Sequence, residues 1–144
     1  MFLLPRFIIR YGLTVFVLDG LESGTVVDRC ALSHILEQTN ELRTLSIRNT
    51  SEIEAESLSK MISMLGDLIK SVPPRLTDLD FSGIGGSAQD GDQLLKALYD
   101  SEMQIKKLDI SGNPDWAQSE SYFPMLCGVL SWQDNLESID ISQN

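Results

Sequence analysis

Few residues in this chain have the types and spacing that chemistry requires. The run Gly83-Ile-Gly85-Gly86-Ser87-Ala88 fits the Gly-x-Gly-x-x-Ala turn that lets backbone amides approach a pyrophosphate at a helix start, and Asp109 falls at the end of the next strand, where a ribose would be held. The flanking residues argue against that reading. A strand covered by helices on both faces is nearly all apolar, whereas this one carries Asp78 and Asp80. Asp90 and Asp92 would also set negative charge beside the phosphate. A flexible turn is therefore expected, with no nucleotide and no other cofactor. His34 is the single histidine, next to Ser33 and Glu37, and no Gly-x-Ser-x-Gly turn accompanies it, so no catalytic triad can be assembled. Cys30 and Cys127 lie in apolar helical segments far apart in sequence and read as two free buried thiols in a reducing, cytoplasmic setting. With one histidine and two cysteines a zinc site lacks ligands. The expectation is a protein that is not an enzyme.

Charge restricts the partners. Asp and Glu total 21 against 11 Lys and Arg, a net charge of −10, which disfavours a phosphate backbone and anionic membrane surfaces. A protein partner with a basic surface is the expected ligand, rather than nucleic acid, a membrane or a small-molecule substrate. The stretch Met1 to Leu18 is apolar but is interrupted by Pro5, Arg6, Arg10 and Gly12, so it reads as a strand or edge-covering segment and not as a membrane helix or signal peptide.

What organises the chain is a repeated hexad. Leu13-Thr-Val-Phe16-Val-Leu18, Leu42-Arg-Thr-Leu45-Ser-Ile47, Leu76-Thr-Asp-Leu79-Asp-Phe81, Ile105-Lys-Lys-Leu108-Asp-Ile110 and Leu136-Glu-Ser-Ile139-Asp-Ile141 start at intervals of 29, 34, 29 and 31 residues. Each places large apolar side chains at positions one, four and six, and helical periodicity fills the gaps between them. In Glu52 to Ser71 the stripe is Leu58, Met61, Ile62, Leu65 and Ile69, with Ser51 and Glu54 as an expected capping box and Pro73-Pro74 as a stop. Val26 to Gln38 offers Val27, Cys30, Ala31 and Ile35; Asp92 to Ser101 offers Leu94, Leu95 and Leu98. Ser119 to Ser131 offers Phe123, Leu126, Cys127 and Leu130, with Pro124 in the first turn. All four stripes are expected to be core. Units this small cannot stand alone, so they stack, and their strands form one parallel sheet.

The chain resembles the leucine-rich repeat proteins, most closely the ribonuclease-inhibitor-like class with long repeats and full helices. Ile105-Lys-Lys-Leu-Asp-Ile-Ser-Gly-Asn113 and Leu136 to Asn144 follow the family pattern Leu-x-x-Leu-x-Leu-x-x-Asn, and the repeat covers Leu13 to Asn144. The ninth position departs from it in three units, holding Leu21, Thr50 and Ile84 before Asn113 and Asn144. The resemblance implies an α/β solenoid: one domain over 1–144 with about five repeats, a parallel sheet on the concave face and helices on the convex face. Asn144 closes a strand and turn with no cap after it, so a piece of a longer array is expected.

The same resemblance implies a non-catalytic protein-interaction module, such as the sensing or autoinhibitory part of a regulatory or innate immune receptor. Alternatives within the family are a GTPase-activating or actin-regulating repeat domain and a bacterial effector module. Specificity must then lie in the outward positions of the hexads. The fifth positions hold Val17, Ser46, Asp80, Asp109 and Asp140, and the third positions Val15, Thr44, Asp78, Lys107 and Ser138. Arg43 and Arg48 give the early units positive charge, and the later ones present acid. The candidate partner-binding residues are Arg43, Arg48, Asp78, Asp80, Lys107, Asp109 and Asp140, and Trp116 and Trp132 are the candidate anchors if they are not packed at the repeat loops.

Overall fold

Apolar residues at the fourth and sixth positions of each hexad need a strand with one face buried; the structure, a computed structural model, has five strands at these hexads among its described residues, and the first four bury that face. It describes residues 14–21, 41–71 and 76–144. Strands β1 (Val15–Asp19), β2 (Thr44–Arg48), β3 (Asp78–Asp80), β4 (Lys107–Asp109) and β5 (Ser138–Asp140) lie side by side in chain order and are all parallel. Every hexad is in register with the next: Phe16, Leu45, Leu79, Leu108 and Ile139 form one row. Helices α1 (Ala55–Ser71), α2 (Ala88–Ser101) and α3 (Tyr122–Ser131) return the chain to the start of the following strand, and a 3-10 turn, Trp116–Gln118, precedes α3. The helices pack in the same order, α1 on α2 and α2 on α3. The buried faces of strands and helices make a single cluster between the two layers. The expected helix at Val26 to Gln38, the segment before residue 14, His34, Cys30 and the Pro73-Pro74 stop lie outside the described residues. Among the described residues no helix is long and apolar enough to cross a membrane.

The junctions between strands repeat one hydrogen-bond scheme. The carbonyl just before each strand accepts two amides of the next unit: Thr14 from Arg43 and Thr44, Arg43 from Thr77 and Asp78, Thr77 from Lys106 and Lys107, Lys106 from Glu137 and Ser138. Pairing then continues past the strands, with the amides of Gly83 and Gly112 donating to the carbonyls of Ser111 and Ser142. At the eighth position of the repeat the backbone is left-handed in every unit: φ is 66° at Gly20, 56° at Asn49, 60° at Gly83, 69° at Gly112 and 59° at Gln143. Glycine adopts that conformation freely and Asn tolerates it, but Gln143 is strained there.

The ninth position satisfies the turn where its side chain is polar. Buried Asn113 accepts from the Gly85 amide at 2.9 Å and donates to the carbonyls of Phe81 and Ile110 at 3.1 and 2.8 Å. Asn144 accepts from the Asn113 amide at 2.8 Å and donates to Ile110 and to the Tyr122 hydroxyl. Thr50, although not an amide, donates its hydroxyl to the Ile84 carbonyl at 2.7 Å. Asn113 thus serves the turn of its own unit and also that of the unit before, where Ile84 has no polar group to offer.

The helices correct several expectations. The stripe Leu58, Met61, Ile62, Leu65 and Ile69 is buried, as its spacing predicts. Yet α1 starts at Ala55, and the Glu54 carbonyl accepts its first bond, from Leu58, at 2.8 Å; Ser51 sits in the preceding turn and caps nothing. Helix α2 starts four residues before Asp92, at Ala88, because Ser87 and Asp90 form the capping box instead. In α3 the buried residues are Tyr122, Leu126 and Val129; Phe123 and Cys127 are exposed, so that stripe is core only in part and Cys127 is not a buried thiol.

Candidate interaction face

The residues between the buried positions of the hexads all emerge on the face away from the helices. Parallel pairing brings Val17, Ser46, Asp80, Asp109 and Asp140 into one row and Val15, Thr44, Asp78, Lys107 and Ser138 into a second. Neighbouring strands in a sheet are about 4.8 Å apart, so the three carboxylates are adjacent. Asp78, Asp80, Lys107, Asp109 and Asp140 line one open depression of about 350 Å³ on this face. Arg43, Asp78 and Lys107 meet in another, of about 290 Å³, at the strand starts. Arg48 lies in neither.

Arg48 is instead held by two carboxylates. Its Nε is 3.0 Å from Asp19 Oδ2 and its Nη1 is 3.4 Å from Asp80 Oδ2. Asn49 Nδ2 donates to Asp19 Oδ1 at 2.7 Å; that bond first, and the Arg48 guanidinium second, hold the Asp19 carboxyl below the usual carboxylate range. In return Asp19 and then Asp80 raise the Arg48 pKa above its ordinary value. Ser46 is buried although it points outward, because Asp80 lies over it and accepts its hydroxyl at 3.1 Å.

The three aspartates share a local task that their spacing makes legible. The backbone and the hydroxyl of Ser82 donate to Asp80 Oδ1 at 3.0 and 2.6 Å, and those of Ser111 donate to Asp109 Oδ1 at 3.0 and 2.7 Å. The Ser142 amide donates to Asp140 Oδ1 at 2.9 Å. Bonds from Ser142 lower the Asp140 pKa, since they favour the ionised form. Asp-x-Ser is therefore a side-chain turn that starts the loop after β3, β4 and β5. Oδ1 belongs to the fold. The second oxygen of Asp80 takes Ser46 and Arg48, while Asp109 and Asp140 form no ion pair among the described residues. Uncompensated negative charge thus concentrates toward β5, and the half-exposed Val15 and Val17 leave the β1 end apolar.

The two tryptophans part company at this level. Trp116 is not an exposed anchor: it is fully buried against α2, with Nε1 donating to the Gly85 carbonyl at 2.9 Å. Trp132 is exposed but stands edge-on to Tyr99 on the helix side, not on the outward face. The glycine run Gly83 to Ala88 is filled by the protein's own groups. Asp90 Oδ2 takes the Ser87 amide at 2.8 Å and the hydroxyls of Ser87 and Ser59 at 3.0 and 2.9 Å, so a buried carboxylate occupies the helix start where a phosphate would bind.

Fold and face together describe an α/β protein with a one-sided parallel sheet whose other side carries organised charge. Comparison with family models, with curated proteins and with solved structures finds no match to this chain.

Proposed function

We propose that the chain is a leucine-rich repeat arc of the ribonuclease-inhibitor-like class and a non-catalytic interaction module, holding a protein partner with a basic surface on the outward face of its sheet. The observation that carries this reading is the row Asp80, Asp109, Asp140, in which Arg48 neutralises only the first member. Adjacent like charges repel one another, so a row left uncompensated favours an incoming cation. The left-handed eighth residue in every unit and the asparagine turns of the last two units support the repeat assignment.

Such a module suits the sensing or autoinhibitory part of a larger regulatory or innate immune receptor. A cytoplasmic setting agrees with Cys127, an exposed free thiol. The GTPase-activating alternative would draw on Arg43 and Arg48 as transition-state cations, but Arg48 is already engaged by Asp19 and Asp80. Changing Asp80, Asp109 and Asp140 together to Asn keeps each Oδ1 acceptor and removes the charge. A basic protein recovered from the native host by the wild-type chain should then be lost. Equal recovery by both chains would leave the row with its turn-forming task alone.

A further inference from the structure

Basic side chains divide sharply among the described residues. Arg48 meets Asp19 and Asp80, Lys60 meets Glu56, and Lys70 and Lys96 meet Asp100. The other three, Arg43, Lys106 and Lys107, are exposed and form no ion pair among the described residues. All three line the same depression at the strand starts. A shortage of carboxylates does not explain this, since Asp and Glu total 21 against 11 Lys and Arg.

Two carboxylates share that depression. Asp78 lies in register with Lys107, and its Oδ1 accepts the Thr77 hydroxyl at 3.1 Å; Glu137 immediately precedes β5. Neither closes an ion pair with the three cations, so the lining is left with one net positive charge. That suits a single carboxylate. A phosphate dianion would exceed it and would lie against Asp78 and Glu137 as like charge. The depression is also continuous with the acidic one, because Thr44, Asp78 and Lys107 line both. On β4, Lys107 and Asp109 are two positions apart, about 6.6 Å along the strand. A ligand lying along Asp80, Asp109 and Asp140 therefore has unpaired cations beside it on the strand-start side.

An extended segment crossing the strands points successive side chains to opposite sides. We propose that the outward face selects an alternating charge pattern, and that its occupant is an extended segment of the partner protein in which Lys or Arg alternates with Asp or Glu. The basic side chains lie on the aspartate row, and an acidic one enters the depression between Arg43 and Lys106. This rests on the aspartate row as a cation-binding site and adds to it a requirement that a merely basic segment does not meet. Complementary charge on both sides of the segment fixes which side faces the strand starts.

The probes are two peptides, acetyl-Lys-Glu-Lys-Glu-Lys-amide and acetyl-Lys-Gln-Lys-Gln-Lys-amide, titrated into the isotope-labelled full chain while its amide NMR signals are followed. General attraction to a chain of net charge −10 favours the second peptide, which is the more positive. The first is nevertheless expected to bind more tightly, by roughly two- to fivefold, the worth of an exposed charge pair, and to shift the amides of Thr77, Lys106 and Lys107. With Arg43→Gln, Lys106→Gln and Lys107→Gln combined, the order of the two peptides should reverse. Lys96→Gln, on the helix side, should leave it as in the wild-type chain. The wild-type comparison needs no variant, so misfolding cannot imitate its result. Equal or tighter binding of the glutamine peptide to the wild-type chain would overturn the proposal, as would an unchanged order in the triple Gln chain. If both peptides are then lost on changing Asp80, Asp109 and Asp140 to Asn, the aspartate row stands and the carboxylate subsite alone fails. No binding of either peptide at millimolar concentration, or binding indifferent to the three Asn changes, would remove the row and the subsite together.

Discussion

Replacing Gly91 with Ala sets two effects of known size against each other. Gly91 lies within α2, and in an exposed helix interior Ala is favoured over Gly by about 1 kcal/mol. Here the added Cβ would stand 2.5 Å from Trp116 Cγ, 2.8 Å from Cδ2 and 2.9 Å from Cβ. None of these is the end of a flexible chain, and Trp116 is fully buried, so the indole must shift as a body. Overpacking of this kind costs about 1–3 kcal/mol. The shift also strains the bond from Trp116 Nε1 to the Gly85 carbonyl, worth about 0.5–1.5 kcal/mol. The clash outweighs the propensity gain, and a net loss of about 1–3 kcal/mol is expected. At roughly 2–4 °C per kcal/mol for a chain of this size, Tm should fall by about 2–12 °C in a calorimetric or circular-dichroism melt. In a Trp116→Leu background the same Ala should cost nothing or stabilise, because its obstacle is gone. A Gly91→Ala chain that melts higher than wild type would refute the packing argument, since propensity alone would then have decided.

Other outcomes follow from the turns and the charged face. Asn113→Ala should destabilise by about 3 kcal/mol in a urea titration, because the Gly85 amide and the Phe81 and Ile110 carbonyls lose a shared buried partner. Gln143→Gly should stabilise slightly, by about 0.5–1 kcal/mol, by relieving a left-handed non-glycine residue; a lower urea midpoint would contradict the strain. The folded-state pKa values of Asp19 and Asp140 are depressed, so their contribution to stability is present above the ordinary carboxylate range and is lost as pH falls through the folded values. Tm should therefore hold steady from pH 7 to about 5 and drop below about pH 4, and Asn49→Ala, which removes the largest cause at Asp19, should flatten part of that drop.

Much of the fold was legible because the hexad repeats. Spacing alone assigned Phe16, Leu45, Leu79 and Leu108 to the core and set Val17, Ser46, Asp80, Asp109 and Asp140 in one row. Trp116 was misread because its burial depends on a gap left by Gly91, 25 positions earlier and in the preceding unit, which no local pattern discloses. Phe123 and Cys127 have the periodicity of a core stripe, but among the described residues α3 packs against the helix α2 on one side, and Phe123 and Cys127 stay exposed. The capping box at Ser87 and Asp90 was readable in principle, but it has Asp in place of Glu or Gln and follows a glycine run that reads as a flexible turn, so the helix start was set too late, at Asp92. Asp-x-Ser at 80, 109 and 140 was visible as spacing, but its division of labour was not. That one oxygen makes the turn and the other faces outward depends on side-chain geometry.

The most direct measurement is a calorimetric titration of the recovered basic partner into the wild-type chain and into the chain with Asp80, Asp109 and Asp140 changed to Asn. Exposed charge pairs contribute about 0.2–1 kcal/mol each, so the triple change should weaken binding roughly 3- to 100-fold and reduce its dependence on salt. The triple variant should stay folded and melt slightly lower, because Asn retains each Oδ1 acceptor while Asp80 gives up the Oδ2 contacts with Ser46 and Arg48. An unchanged dissociation constant with both chains folded would contradict a partner held by the outward face.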